Sequence, residues 1–449
     1  MATRTITKLR LSNVRDDDVF FCDVILDGKK LLAAFGKGKR GGPSTIHERT
    51  GERFASVEAA EAGLRTFLEN RGRHYKDRKR EEVEVEGEEQ HLFVGAESPA
   101  LEADVLAGRE GAAAVYADWL QQEGDPRGEL AALSLAGRDA EVADFVARNA
   151  TALFGDLDVK LDDEVRELDW SGGFLRGASL RRAGFDSTTN LAELTRAFLE
   201  LPVARLVTRL RFGLASMESD NDWTATMAAV TASPQAAHLL SLAFDDYDSE
   251  DCEISWTPIG DFSSAWAKLP ALEELRIKSG AGGKLGDLDL PRLRKLVRVS
   301  GGLSRAEIVA LLDAKCPRLE HLEIWFGSDG YGAEGNPGLL ERLFAGEAPR
   351  TLTHLGLVNA EFTHELIAPL ARSALLPRLR SLDLSRGVLR DEDLDELIAA
   401  APAFRHLERL DLSENQIASR GDEVRRVLPN AVLDEQRVDA PERYVALGE

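Results

Sequence analysis

Apolar residues in the last third of the chain recur with a single spacing. Leu319-x-x-Leu322-x-Ile324, Leu352-x-x-Leu355-x-Leu357, Leu379-x-x-Leu382-x-Leu384 and Leu407-x-x-Leu410-x-Leu412 each end in a two-residue alternation, followed by a loop and a helix-like stretch. The alternation predicts a short strand with one buried face. A unit of this size cannot bury its apolar face alone, so the repetition predicts a solenoid whose units stack on their neighbours. Upstream, the central leucines continue at Leu210, Leu242, Leu275 and Leu296, giving a mean interval of about 28 residues. That interval leaves room for a helix on the convex side, predicted at 305–314, 338–344, 364–373, 391–400 and 422–428. A last strand is predicted within 428–433, with the charged segment after it acting as a cap.

The first part of the chain is patterned differently. Alternation predicts strands at 5–11, 19–26 and 29–34, with Asp27-Gly28 as a hairpin signal, and a Gly- and Lys-rich loop at 36–43. Ser56 caps a predicted helix carrying Val57, Ala60, Leu64, Phe67 and Leu68. Six glutamates between 81 and 89 predict an acidic linker, taken as 79–97. Ser98-Pro99 and Asp125-Pro126 are paired cap-and-proline start signals, predicting helices at 99–106 and 127–135 around a third at 112–122. A further helix is predicted at 139–153.

Three resemblances follow from these residues. Phe35-Gly36-Lys37, the Gly/Lys loop after it, the 54–68 helix and the closing Arg71-Gly72-x-x-Tyr75 resemble a WGR domain over residues 3–77. This is a small β-rich module found in some poly(ADP-ribose) polymerases and in many bacterial proteins. Phe35 and Lys37 stand where the family has Trp and Arg, which removes an indole N–H and a bidentate guanidinium. Val115-Tyr116-Ala117-Asp118-Trp119-Leu120 through Gly124-Asp125-Pro126-Arg127-Gly128-Glu129 resembles a short bacterial domain that accompanies leucine-rich repeats, notably in myxobacteria and planctomycetes. That resemblance implies no catalytic activity, and Tyr116, Trp119 and Leu120 read as core at helical spacing. The repeats are similar to the ribonuclease-inhibitor-like class of leucine-rich repeats, which implies a concave parallel sheet and convex helices. Val165 to Trp170 and Gly173-Phe174-Leu175 resemble the atypical first unit of such arrays. Only Asn415 occupies the consensus Asn position; Gly327, Ala360 and Gly387 stand there in earlier units, so the usual Asn ladder must be largely replaced. The expected organisation is an α/β chain: a WGR-like α+β domain (1–78), the linker, a helical companion domain (98–160) and a leucine-rich-repeat solenoid with its cap (161–449).

Length and charge refine this picture. At 449 residues, 43% hydrophobic and 30% charged, the chain is expected to form two or three domains. No apolar run approaches the roughly 18 residues of a membrane span, and residues 1–10 lack the apolar core of a secretory signal. Cys22, Cys252 and Cys316 are odd in number and lack ligand spacing, which predicts a reducing cytoplasm and no structural zinc. The net charge of −22 is split: residues 1–80 carry 18 Lys/Arg against 11 Asp/Glu, while the rest carries 38 against 67. The basic head and acidic body suggest two surfaces with different partners.

Residues flanking the central leucines should face away from the core. This places Arg209, Arg211, Glu274, Arg276, Lys278, Lys295, His321, Glu323, Trp325, His354, Ser381, Asp383, Arg409 and Asp411 on the concave wall. Of these, Arg209, Arg211, Arg276, Lys278, Lys295, His321 and Trp325 form the expected site for a protein partner, with Trp325 as anchor and the cations pairing with its acids. His321 and His354 occupy equivalent positions in adjacent units and are expected side by side, without a third metal ligand. The acidic stretch 245–253 lacks the Gly and late Glu of a calcium loop and reads as solvated. The Gly-rich stretch 327–338 lacks a Lys-Ser/Thr ending and reads as a flexible insertion. Lys37, Lys39 and Arg40 are a candidate phosphate-binding set, the basis of an alternative in which the head contacts nucleic acid and the repeats recruit an effector. The histidines match no hydrolase order. The expectation is a non-catalytic, cytoplasmic adaptor without cofactor or metal, not membrane-bound and monomeric on its own.

Overall fold

The computed structural model describes residues 3–15, 18–27, 30–39, 44–54, 56–86, 95–217, 221–439 and 442–447. The chain divides into two units, one of residues 1–160, 170–175 and 200–206, the other of 161–169, 176–199 and 207–449.

The first unit opens with an antiparallel sheet of β1 (Thr3–Arg15), β2 (Asp18–Asp27), β3 (Lys30–Lys39), β4 (Ser44–Arg53) and, after helix α1 (Val57–Asn70), β5 (Asp77–Glu86). The strand order is β4-β3-β2-β1-β5. Leu9, Leu11, Cys22, Val24, Leu31, Ala33 and Phe35 supply the buried face, closed by Leu64 of α1. Ser56 caps that helix as its sequence predicts, its hydroxyl accepting from the Ala59 N–H at 3.2 Å. Phe35 is core: it packs 6.2 Å from Phe67 with the Arg71 guanidinium 5.7 Å from its ring centre, so this position needs no indole N–H.

Two expectations are corrected here. Residues 79–86 are not a linker but most of β5, paired antiparallel with β1 from Ser12↔Asp77 to Thr3↔Glu86. Behind the charge run lies a strict period of two, Glu82-Val83-Glu84-Val85-Glu86, and the strand lies at the sheet edge, where charged residues are at home. Likewise Gly36–Lys39 is strand, not loop, and pairs with the unforeseen β4 across a register shift at Phe35/Gly36. A Cβ at Gly36 would lie 2.1 Å from the Phe21 ring, so that position admits only glycine without rearrangement.

The same unit continues with α2 (Pro99–Leu106), α3 (Ala112–Gln122), α4 (Pro126–Leu135), α5 (Asp139–Arg148) and α6 (Ala150–Phe154). Tyr116 is fully buried and stacks on Trp119 and Phe174, as helical spacing predicts. The Gly-Asp-Pro-Arg-Gly motif is structural. Asp125 caps α4 by accepting from Arg127 N–H at 3.0 Å and also accepts from Ala96 N–H at 2.8 Å. The buried Arg127 guanidinium pairs with Asp125 at 2.6 Å and donates to the carbonyls of Ala96 and Pro202. At Gly128 a Cβ would meet the backbone of α3 at 2.5 Å, so the helices touch there.

The second unit is a single sheet of eleven strands in chain order. It comprises β6 (Val165–Asp169), β7 (Gly177–Leu180), β8 (Arg209–Phe212), β9 (Ser241–Phe244), β10 (Glu274–Lys278), β11 (Lys295–Val299), β12 (His321–Gly327), β13 (His354–Ala360), β14 (Ser381–Asp383), β15 (Arg409–Asp411) and β16 (Ala431–Val432). All neighbours are parallel except β6, which pairs antiparallel with β7. Helices α7 (Leu191–Glu200), α8 (Thr224–Ala232), α9 (Arg305–Leu312), α10 (Glu341–Phe344), α11 (Ile367–Ala371), α12 (Leu394–Phe404) and α13 (Gly421–Val427) lie between strands. The central leucines from Leu210 to Leu410 stand opposite one another and are all buried. The fold is therefore α/β with a mostly parallel sheet. Strand β7 escapes the repeat pattern because Leu175-x-x-Ala178-x-Leu180 puts Ala at the central position.

The core of this second unit holds a charged pair. Arg298 takes the third apolar position of its unit and is 0% exposed, with Glu307 of α9 at 2.8 Å. Its other N–H groups donate to the carbonyls of Ser279, Gly280 and Val299 at 3.2, 3.2 and 2.6 Å. It thus satisfies strand-end carbonyls in a unit without the consensus Asn, as Asn415 does for Leu384 and Leu412 further on. Among the described residues no helix is long and apolar enough to cross a membrane.

Candidate binding face of the parallel sheet

Because strand residues alternate, the positions flanking the central leucines form rows on the opposite face. One row runs Arg209, Ser241, Glu274, Lys295, His321, His354, Ser381, Arg409; the next runs Arg211, Ala243, Arg276, Val297, Glu323, Gly356, Asp383, Asp411. The rows bring the expected site residues onto one surface, yet the charges of Arg209, Arg211 and Arg276 are already matched within the chain.

In the first half the acidic stretch after β9 folds back over the cations. Asp245 accepts from Arg211 Nε at 2.8 Å and from Arg276 Nε at 2.6 Å. Arg211 also lies 3.4 Å from Glu167 and Asp246, and Arg209 pairs with Asp169. Lys278 Nζ donates to the Tyr247 carbonyl at 2.8 Å and sits 4.2 Å from its ring centre. Burial pushes the Lys278 ammonium below the usual lysine value, against the pull of Asp245 and Asp248. Asp245 and Asp246 at the start of the stretch are therefore countercharges of the wall, whereas residues 248–250 are exposed as a solvated loop would be. These cations do not stand ready for partner acids; of the expected set, Lys295 is exposed and has no ion pair among the described residues.

The second half is built around Glu323. It accepts from Trp325 Nε1 at 2.6 Å and stands 3.2 Å from His321 Nε2. Burial pushes its carboxyl up, but the bonds from His321 and Trp325 outweigh this and hold it below the usual glutamate value. His321 and His354 stack at 5.7 Å, as their equivalent positions predict. Among the described residues no group of three potential ligands is placed to hold a metal ion. Trp325 is not an open anchor: the Arg386 guanidinium lies 5.0 Å from its ring centre, and Arg386 is held in turn by Glu414 at 2.5 Å. Asp383 behaves oppositely to Glu323, its carboxyl pushed up by burial and by Asp411 and Glu323 nearby, although bonds from Ser385 oppose this.

Between the halves lies an apolar strip that sequence reasoning did not single out. Val297 and Val299 occupy polar-face positions, yet are only 1% and 3% exposed. Ile254, Trp325 and Leu447 cover them. Two valines where the neighbouring strands carry Arg276, Lys278 and Glu323 are the sequence signal for a covered face. Trp256, in the same loop as Ile254, is 54% exposed and is the more open tryptophan. The Gly-rich stretch is anchored at its start, where Ser328 Oγ and the Asp329 N–H donate to Glu361 at 2.7 and 3.0 Å.

In the head, Lys37 and Lys39 lie on β3 and both pair with Asp18, at 2.8 and 2.7 Å. Their hydrogen bonds hold the Asp18 carboxyl below the usual range. Arg40 lies outside the described residues.

No family model matches this chain, and no curated protein matches it. Among solved structures, a crystal structure of a Bacteroides fragilis protein aligns over 98% of this chain and 99% of its own, with 18% identity and a TM-score of 0.51. A likeness at that identity speaks for the fold alone.

Proposed function

We propose that the chain is a non-catalytic, cytoplasmic adaptor. In this reading a leucine-rich-repeat arc holds a protein partner on the polar face of the eleven-stranded sheet, and a WGR-like head and a helical companion segment precede the arc. The carrying observation is the composition of that face: an apolar strip of Val297 and Val299, with Trp325 packed against it and Ile254 and Leu447 of the chain itself lying on it, bordered by ordered polar groups. That is the anatomy of a binding hot spot with its rim. Stacked repeats also present such a face as one continuous surface. Because Asp245 neutralises Arg211 and Arg276, and Arg409 pairs with Asp411, recognition falls on the strip and on the His321 and His354 side, which favours a partner with apolar groups. Three buried free cysteines fit a reducing compartment.

The test is affinity capture from nuclease-treated bacterial lysate with the full chain, compared with Trp325→Ala and His321→Ala. A protein retained by the wild type and lost with both variants supports the reading. Capture indifferent to both variants defeats it.

A further inference from the structure

Val297 and Val299 are covered by a segment of this same chain, and the way that segment is held has the form of peptide recognition. The Asn359 side chain is 0% exposed and reads both backbone groups of one residue: Nδ2 donates to the Leu447 carbonyl at 2.5 Å and Oδ1 accepts the Leu447 N–H at 2.9 Å. Gln416 Nε2 donates to the carbonyls of Glu442 and Tyr444, each at 3.0 Å, and Arg437 donates to that of Tyr444 at 2.8 Å. The Ala446 N–H donates to the Arg386 carbonyl at 3.1 Å. Side chains then alternate. Arg443 pairs with Glu392 and with Asp393 at 2.8 Å, Val445 is buried, and Leu447 lies on the strip, whereas Glu442 and Tyr444 are exposed. Backbone bonds that give affinity, with pockets for particular side chains that give specificity, are how proteins bind short peptide segments.

We propose that this face carries a binding site for a short peptide of the pattern basic-x-aliphatic-x-aliphatic, bent at its basic residue, and that segment 442–447 is its resident occupant. The inference rests on the reading of the face as a protein-binding surface and names the chemistry of its ligand. Asn359 makes the site exchange its occupant rather than stand empty, because a buried amide without partners is costly. Its φ of +54° within β13 is a conformation that Asn tolerates better than other side chains, and it aims the amide at the segment. Glu392 and Asp393 select the basic residue, and Val297, Val299, Ile254 and Trp325 select the last aliphatic one. A peptide in trans must compete with an intramolecular segment whose effective concentration is in the millimolar range.

The experiment is a fluorescence-anisotropy titration of a labelled, C-terminally amidated peptide with the sequence of residues 442–447. It is titrated into the full chain as wild type, Leu447→Asp, Arg443→Ala and Leu447→Asp/Asn359→Asp. Release of the resident segment in Leu447→Asp or Arg443→Ala should tighten peptide binding at least about tenfold over wild type. Asn359→Asp keeps shape and backbone tolerance but turns the donor into an acceptor, and should lose most of that gain. Equal affinity for wild type and both released variants, no binding by either of them, or indifference to Asn359→Asp would each overturn the proposal. If it falls while lysate capture still depends on Trp325, the adaptor reading survives with a different ligand. If peptide binds but no lysate protein does, the site serves its own segment alone.

Discussion

Replacing Glu307 by Gln leaves the Arg298 guanidinium inside the sheet with no countercharge, in a side chain of nearly the same volume. Both groups are almost fully buried, at 0% and 3% exposed, so solvent does not screen the loss. Breaking a buried pair from one side costs about 3–5 kcal/mol. The carbonyls of Ser279, Gly280 and Val299 still accept from the cation, which sets the expectation at the lower end, about 3 kcal/mol. At 1.4 kcal/mol per decade this is roughly a hundredfold in a local opening constant. Hydrogen–deuterium exchange of the full chain reads that constant directly, segment by segment, without assuming that two units and a long sheet melt together. Amides of β10 and β11 should lose roughly a hundredfold in protection, while those of β14 and β15 serve as reference. A change below about threefold would refute the claim that the pair supports the sheet from within. The double variant Arg298→Met/Glu307→Met removes both charges and takes the guanidinium from three carbonyls; those of Val299 and Gly280 keep the Ser279 N–H and hydroxyl, so the Ser279 carbonyl carries a loss of about 1–3 kcal/mol and the variant should remain below wild type. Wild-type protection in the double variant would refute the role given to those carbonyls.

The two carboxylates of the face should respond to pH with opposite sign. Glu323 sits below the usual glutamate value, so its contribution is present above about pH 4.3 and fades as pH falls through the folded value; Glu323→Gln should melt lower than wild type at pH 6, with the gap narrowing as pH falls below about 4.3. Asp383 sits above the usual aspartate value, so its charge opposes folding at neutral pH; Asp383→Asn should melt at or above wild type at pH 6, with the difference vanishing below about pH 3.9. The same sign for both variants would count against the assigned environments. Gly36→Ala should destabilise the head by about 1–3 kcal/mol through the Phe21 ring, and should cost less than that when made on top of Phe21→Ala, both read by the head's thermal transition. Lys37→Glu/Lys39→Glu should leave the salt dependence of oligonucleotide binding unchanged, since Asp18 already takes both ammonium groups; a slope reduced by about two in a filter-binding series would restore the nucleic-acid alternative.

Reading by spacing alone reached as far as local physics does. The row of leucines, the Ser56 and Asp125 caps and the core role of Tyr116 are set by periodicity and neighbouring hydrogen bonds. It failed at β5, where a charge run hid a period of two, and at β7, where Ala178 replaced a leucine. The site was legible in position but not in state. Pattern placed Arg211, Arg276, His321 and Trp325 on one face because a parallel register carries every unit's flanking residues to the same side. Whether those groups are open was decided by contacts between distant parts of the chain: Asp245 with Arg276 across 31 residues, Arg298 beneath Gly280 across 18, Asn359 with Leu447 across 88. Each depends on how loops fold over stacked strands, and no spacing within a unit encodes that. The chain's own periodicity thus determined the sheet and the side each residue faces, while only the tertiary structure decided which charges are matched and which apolar surface is covered.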